Sequence, residues 1–362
     1  MNYLTARMQD VPKHVTTRAL TSSCVHCLPP LNIGDVDHKF FTESEVPHRY
    51  SLVHRAEQPF ICSLSNGVVA TCQGLIFDDT HFFVDSYHNE ELVKTVIPVP
   101  PFVGALDPRQ SFVEAQFEQF IHSYGGMLTT FVTPHSANYH HWMLETLPKF
   151  WFIEEHPWIL DGALLLPPLE VPFQSETLAR IFRNRDVEIK YAVHNVPAIK
   201  ATHLVFPSFL APEGHSLTQL EWLRSKFLDS VPKRVKNIYI SRGDSRNGRR
   251  VKNEAELIEV LEDRYGFQAY VLSDLAHADQ VKLFSEANIV LGVSGAGFIN
   301  HIFADHGAHL IEMHPMNYTN RAHFFTSNIL EQTYQFVICE TNVVGELSVP
   351  IAKVVECVER VL

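Results

Sequence analysis

The sequence predicts an α/β protein of two domains, on three observations. The chain has 362 residues, beyond the size at which a single hydrophobic core stops growing. Its hydrophobic share of 46%, with 25 phenylalanines, is enough to fill two cores. From Met127 onward, short apolar runs alternate with amphipathic stretches, the cadence of β-α-β units. Strands of this kind form a parallel sheet covered on both faces, with the ligand crevice at their carboxyl ends.

Residues 1–110 mix short alternating runs such as "GLIFDD" and "HFFVDSY" with prolines and histidines, which predicts strands joined by loops. Over 107–125 the spacing of Phe112, Phe117, Phe120 and Ile121 predicts a helix, and "MLTTFV" after it a buried strand. In "PHSANYHHWMLETLPKFWFIEEHP" the positions Trp142, Leu144, Leu147 and Phe150 have near-helical spacing, with Pro148 either opening a second helix or kinking the first. "GALLLP", "VEIKYAV" and "ATHLVFP" read as strands alternating with the helical "SETLARIFR". "HSLTQLEWLRSKFLDSV" is an amphipathic helix, and the domain boundary falls near it, giving domains 1–225 and 226–345.

In the second domain "NIYIS", "FQAYVL", "NIVLGV" and "AHLIEM" are strands, with "EAELIEVLEDRY", "ADQVKLFSEA" and "FINHIFA" as the helices between them. Asn253 and Glu256 form a capping-box-like start to the first of these helices, and Gly266 ends it. "SGAG" is a tight turn, and "IAKVVECVERVL", within 346–362, is a closing helix free to pack back on the N-terminal domain.

Composition excludes several classes. A net charge of -12 argues against a nucleic-acid binder, which needs a broad positive field. The six cysteines are sparse, as in a reducing compartment, and Cys24-x-x-Cys27 lacks the second half-site that structural zinc requires. The first residues carry no apolar run of the leader type, and "GALLLPPLEVPF" is broken by prolines and Glu170 well short of the ~20 residues of a membrane span. A cytoplasmic protein is expected. No phosphate-binding Gly-Lys-Ser/Thr loop, Gly-x-Ser-x-Gly elbow or His-Glu-x-x-His pair is present. The Asp-x-Asp of "GDVDH" follows no apolar strand and is set aside as a metal site.

Two segments concentrate chemistry. "YISRGDSRNGRRVKN" holds five Arg and Lys in fifteen residues of an acidic chain. Its Ser241 and Arg242 fall at the carboxyl end of "NIYI", and Ser294, Gly295, Ala296 and Gly297 fall at the equivalent end of "NIVLGV". Small residues there let backbone N–H groups approach an anion. Arg242, with Arg249 and Arg250, offers the planar fork that suits phosphate. Read as a mere surface turn, the same segment needs no ligand. Glu312 ends a strand on this edge, where a carboxylate can accept from ribose hydroxyls or serve as an ion-pair partner. Asn300, a further donor-side candidate, reads on spacing alone as a helix-interior polar group. In "NYHHWMLETLPK", His141 and Glu145 share a helix face as a general base, or a base and its orienter. His140 and Trp142 beside them are acceptor-side candidates.

Taken in order, "NYHHWMLETLPKF", "IYISRGDSRNGRRVKNEAEL" and "FSEANIVLGVSGAGFINHIFADHGAHLIEM" resemble the family 61 glycosyltransferases, proteins often met in capsular polysaccharide biosynthesis, over about residues 130–315. The resemblance implies a GT-B-like fold, two Rossmann-like domains facing a central cleft, and an inverting transfer from a nucleotide-sugar, a UDP-sugar by family, to a glycan or lipid-linked glycan acceptor. No cofactor and no obligatory metal are implied. It puts Arg242, Asn253 and Glu254 at the donor, the 294–297 turn at the diphosphate, Glu312 near the ribose, and His141 and Glu145 on the acceptor side as catalytic candidates. The chain departs from the family pattern at Ser294, usually histidine, and at Asp305 and His306, usually a proline pair. A cytoplasmic enzyme associated peripherally with the inner membrane face follows from this reading. A non-catalytic module for phosphorylated glycans or nucleotides and a sugar-nucleotide epimerase are the alternatives.

Overall fold

The computed structural model of the chain describes residues 2–6, 15–18, 23–32, 53–56, 59–71, 74–83, 112–114, 121–183, 185–192, 196–208, 216–245, 248–316 and 320–362. It divides into two compact units, Met1–Ser23 with Ala56–His215, and Cys24–Arg55 with Ser216–Leu362. Both are α/β.

The first unit is built on a mixed eleven-stranded sheet. Its parallel block consists of β1 (Ile121–Thr130), β2 (Ala163–Leu166), β3 (Ile189–Tyr191) and β4 (Ala198–Pro207), in the spatial order β3-β2-β1-β4. The chain steps outward from β1 to β2 and, through α1 (Pro172–Ile181), to β3, then returns to the other side of β1. That reversal makes the β1/β4 gap a topological switch point, where open α/β sheets hold ligands. Antiparallel strands Phe60–Ser65 and Val68–Ala70 continue the sheet beyond β4. All four residues of β2 are buried, as a strand covered on both faces requires. Leu128, Leu165, Leu204 and Phe206 form part of one core.

One expectation fails here. The predicted helix over 107–125 is instead strand at Phe112–Glu114 and again from Ile121, and Phe117 and Phe120 lie outside the described residues. Gly125 and Gly126 are internal to β1, where the register against β4 shifts between Tyr124 and Met127. Glycines absorb such an irregularity within a strand, and pairing with neighbours on both sides overrides the local spacing.

The second unit carries a six-stranded sheet of β5 (Lys236–Ser241), β6 (Phe267–Val271), β7 (Ala287–Val293), β8 (His309–Pro315), β9 (Thr333–Thr341) and β10 (Leu347–Ser348). The order is β6-β5-β7-β8-β9-β10, parallel except for β10. This is a doubly wound order with its switch point between β5 and β7. Around the sheet lie α2 (Leu217–Phe227), α3 (Glu254–Tyr265), α4 (His277–Ser285), α5 (Ala322–Ile329) and α6 (Ile351–Glu359). Gly266 ends α3 with φ 64, a left-handed cap in which a side chain would be strained.

α2, assigned from sequence to the first domain, is fastened to this unit: its buried Arg224 donates to the carbonyls of Ile302 and Ala304. The closing helix α6 buries Val354, Cys357 and Val358 in a core shared with Leu257, Leu291 and Ile311. A short strap from the chain's beginning also joins this unit. Leu31 N donates to Tyr334 O at 2.9 Å, and the Asn32 amide bonds both backbone groups of Phe336, at 2.6 and 3.2 Å. Among the described residues no helix is long and apolar enough to cross a membrane.

Candidate functional site

In the first unit the chain leaves the carboxyl end of β1 at the switch point and winds into one α-turn, Tyr139–His141. A π-helical turn, Trp142–Thr146, and a 3-10 segment, Leu147–Trp151, follow. Asn138 caps the start by accepting from His140 N at 3.0 Å. Pro148 stands in the first positions of the 3-10 segment, so it opens a new helix. Stacked rings of Phe131 and Phe150 at 4.3 Å and a 2.5 Å contact between the Thr133 and Thr146 hydroxyls hold the loop against the helical run.

π-Helical turns occur frequently at functional sites, and this one presents a pair. His141 Nδ1 and Glu145 Oε1 are 2.6 Å apart, with side chains 31% and 2% exposed. Only the imidazole can therefore meet a ligand. A carboxylate on Nδ1 fixes the proton there and leaves the Nε2 lone pair as the acceptor. Burial pushes the Glu145 carboxyl up, against the opposing pull of His141 and Lys149. The His135 and His140 rings flank His141 at 5.3 and 5.6 Å. Burial, together with His141, pushes the His135 pKa down. Trp142 is wholly buried, its Nε1 donating to Thr177 Oγ1 at 2.8 Å, so the expected acceptor-side indole is a core residue instead.

Sequence reasoning missed Lys149. It is as buried as Glu145, its ammonium lies 5.5 Å from the Phe206 ring centre, and burial pushes its pKa down to about 7. The signal was available: Lys149 follows Glu145 at the spacing by which Glu145 follows His141.

In the second unit Arg242 is the first residue beyond β5, at the β5/β7 switch point. Its Nη2 donates to Ser245 Oγ at 2.9 Å, and the end of its guanidinium lies so close to Gly295 that a Cβ there would collide with Nη1. Gly295 itself is extended, φ 176, so this close approach, not a turn, demands glycine. Arg249 is held left-handed at φ 61, after Gly248 at φ 74, a strained setting for a side chain. Its Nη1 donates to Ser294 O at 3.0 Å. Burial and then Arg249 push Arg242 down to about 10, Asp244 acting against them. Two guanidinium groups brought together at a strand end form a site that an anion would relieve. Arg250 is exposed, bonded through Nε to Ser245 O at 3.0 Å. Ser294 N donates to Met313 O at 2.9 Å, and Ala296 and Gly297 open the 3-10 helix Ala296–Phe303.

The remaining donor-side candidates are occupied within the fold. The Asn253 side chain makes no cap bond to α3. It exchanges two 2.9 Å bonds with the backbone of Val349, which overturns the capping-box reading and spends its amide on holding the end of β10. Glu254 accepts from the buried Tyr239 hydroxyl at 2.8 Å. Asn300 is wholly buried and donates to Gln280 at 2.9 Å. Glu312, expected at the ribose, is also wholly buried: His323 Nδ1 lies 2.7 Å from Oε1, the Tyr334 hydroxyl donates to Oε2 at 2.7 Å, and His314 stands at 3.4 Å. It has no surface to offer a ribose. The ion-pair alternative describes it. The "GDVDH" segment lies outside the described residues.

Set beside known families, residues 139–311 match the family model described as Glycosyltransferase 61. The chain carries a glycosyltransferase 61 domain. It is a glycosyltransferase, with a sugar donor and an acceptor as its substrates. The family 61 match takes in His141, Glu145, Lys149, Arg242, Arg249 and the 294–297 turn, and stops just short of Glu312. No curated protein matches the chain.

Proposed function

We propose that the protein is an inverting glycosyltransferase of the GT-B type. It moves a sugar from a nucleotide-sugar, a UDP-sugar, to a hydroxyl of a glycan or lipid-linked glycan in surface polysaccharide synthesis, without a divalent metal. The N-terminal unit serves the acceptor and the C-terminal unit the donor. The observation that carries the catalytic reading is the buried Glu145 carboxylate on Nδ1 of a partly exposed histidine. A binding module has no use for that arrangement.

In this reading His141 Nε2 takes the acceptor hydroxyl's proton as its oxygen bonds to the anomeric carbon. The bond from that carbon to the diphosphate breaks, and its electron pair leaves on the diphosphate. Glu145 orients the imidazole and stabilises its charged form, the part a buried carboxylate plays behind a catalytic histidine. Arg242 and Arg249 meet the leaving charge, an electrostatic contribution that is usually the largest in catalysis. Attack from the opposite face inverts the anomeric centre in one step. Activated sugars are made in the cytosol, so we place the reaction at the cytoplasmic face of a membrane.

Calorimetric titration with UDP, GDP, CDP and CMP, with EDTA and then with magnesium, tests the donor side. One diphosphate binds in EDTA, and Arg242→Ala weakens it about 10- to 100-fold, the value of one or two charge-assisted hydrogen bonds. Equal affinity in Arg242→Ala removes the donor assignment. Gly295→Ala gives a sharper test, because the methyl collides with the far end of a flexible side chain, Arg242 Nη1. It is expected to displace the guanidinium and weaken the same nucleotide while leaving the melting temperature within a few degrees. Loss of stability with unchanged affinity would show that the contact is only structural. The anomeric configuration of the product, read by NMR, tests inversion.

A further inference from the structure

His141, Glu145 and Lys149 follow one another at intervals of four residues along one helical run. The imidazole is partly exposed, while the carboxylate and the ammonium are both buried. Lys149 lies over the Phe206 ring of β4, and the two buried charges, Lys149 and Glu145, attract each other. A buried cation is costly to keep, and a lysine whose only task was packing would be better replaced by methionine. We propose that Lys149 is a positioning residue for the reaction: its buried ammonium balances the Glu145 carboxylate and thereby sets the pH at which the His141–Glu145 pair takes up its proton. The proposal rests on the reading of His141 as the base.

The sign follows from electrostatics. A cation beside a proton-binding pair disfavours protonation, so its removal moves the pair's uptake of a proton to higher pH. The shared proton belongs to the coupled pair, not to either residue alone. Among the described residues, His135, in the loop after β1, and His140, on its own turn, also stand beside His141. From β4 the ring against Lys149 is Phe206, which does not titrate. Lys149 itself, with its pKa near 7, loses its charge within the physiological range, and above that pH the parent loses the restraint that the lysine imposes.

The test is a pH titration of the purified full-length protein by NMR, following the His141 ring signals in the parent, Lys149→Met and Lys149→Arg, with pH profiles of kcat/KM in parallel. In Lys149→Met the midpoint and the acid limb of the profile move up together by about one pH unit or more, so that turnover at a fixed acidic pH falls about tenfold. Lys149→Arg, which keeps the charge, restores the parental midpoint. An unchanged midpoint in Lys149→Met overturns the proposal whatever happens to turnover or melting temperature. The base reading fails separately, if His141→Ala retains turnover. Should Lys149→Met not fold, carbon-13-labelled lysine gives a second measurement. Glu145→Gln is expected to lower the Lys149 midpoint by about one unit or more, and no change would equally overturn the coupling.

Discussion

His141→Ala is expected to lower turnover about 10²- to 10⁴-fold, the usual contribution of a positioned general base, while nucleotide affinity stays at the parental value. The two readouts separate because His141 lies in the first unit and the arginine site in the second. Steady-state release of the nucleoside diphosphate gives the first, and calorimetry gives the second. Glu145→Gln is expected to fall in the same range. The glutamine amide can donate to Nδ1, which turns the imidazole to the other tautomer and puts the proton on Nε2, where a base needs its lone pair. If only Glu145→Gln were impaired, the base would have to be the carboxylate, a group 2% exposed that would first need to open to solvent. If both variants turned over at the parental rate, neither residue would serve in proton transfer, and the segment's role would be to shape the loop between Asn138 and the 3-10 turn.

What the sequence disclosed and what it concealed divide along physical lines. The strands of both parallel blocks, β9 excepted, were legible because a strand buried on both faces must be apolar along its length, as all four residues of β2 are. Gly266 was legible because a left-handed cap has a residue signature. From strand ends alone the arginine loop and the 294–297 turn could be assigned to one crevice, and Arg242 does lie against Gly295. Contacts distant in sequence were not legible. Asn253 looked like an N-cap because local spacing cannot reveal that Val349, 96 positions on, needs its amide. Glu312 looked like a ribose acceptor because its position on the ligand edge was clear, whereas the burial that fills both its oxygens with His323 and Tyr334 came from α5 and β9. Neither element had been identified. Lys149 was marked only by its spacing after Glu145: its type suggested solvent, and its burial came from packing.

Glu312→Leu is expected to cost about 3–5 kcal/mol at neutral pH, the penalty for breaking a buried charged cluster by removing one partner. Leucine would leave the Tyr334 hydroxyl and His323 Nδ1 facing a group that can neither accept nor donate. The pH dependence identifies the cause. Burial works against ionising Glu312, but His323 and His314 outweigh it and hold the carboxyl well below its ordinary 4.5. A carboxyl depressed on folding contributes stability above its unfolded value and loses it as pH falls toward the folded one, so this contribution disappears below about pH 4.5. His301, packed against His323 with ring centres 5.8 Å apart, is pushed by burial from 6.5 down to about 3. The unfolded chain therefore takes up a proton on it that the folded chain refuses, and stability falls across the window from 6.5 to 3. Hydrogen exchange of the β8 and β9 amides against pH resolves the two. In the parent, protection declines from about pH 6.5 and more steeply below 4.5. In Glu312→Leu it starts lower, keeps the first decline and lacks the second. A variant as stable as the parent, or one that kept both declines, would place the charge elsewhere. Because Met313, the next residue along β8, accepts the Ser294 N–H at 2.9 Å, loosening this strand end also loosens the turn against which Arg242 lies. Nucleotide affinity should therefore fall with stability in this variant, as it should not in His141→Ala.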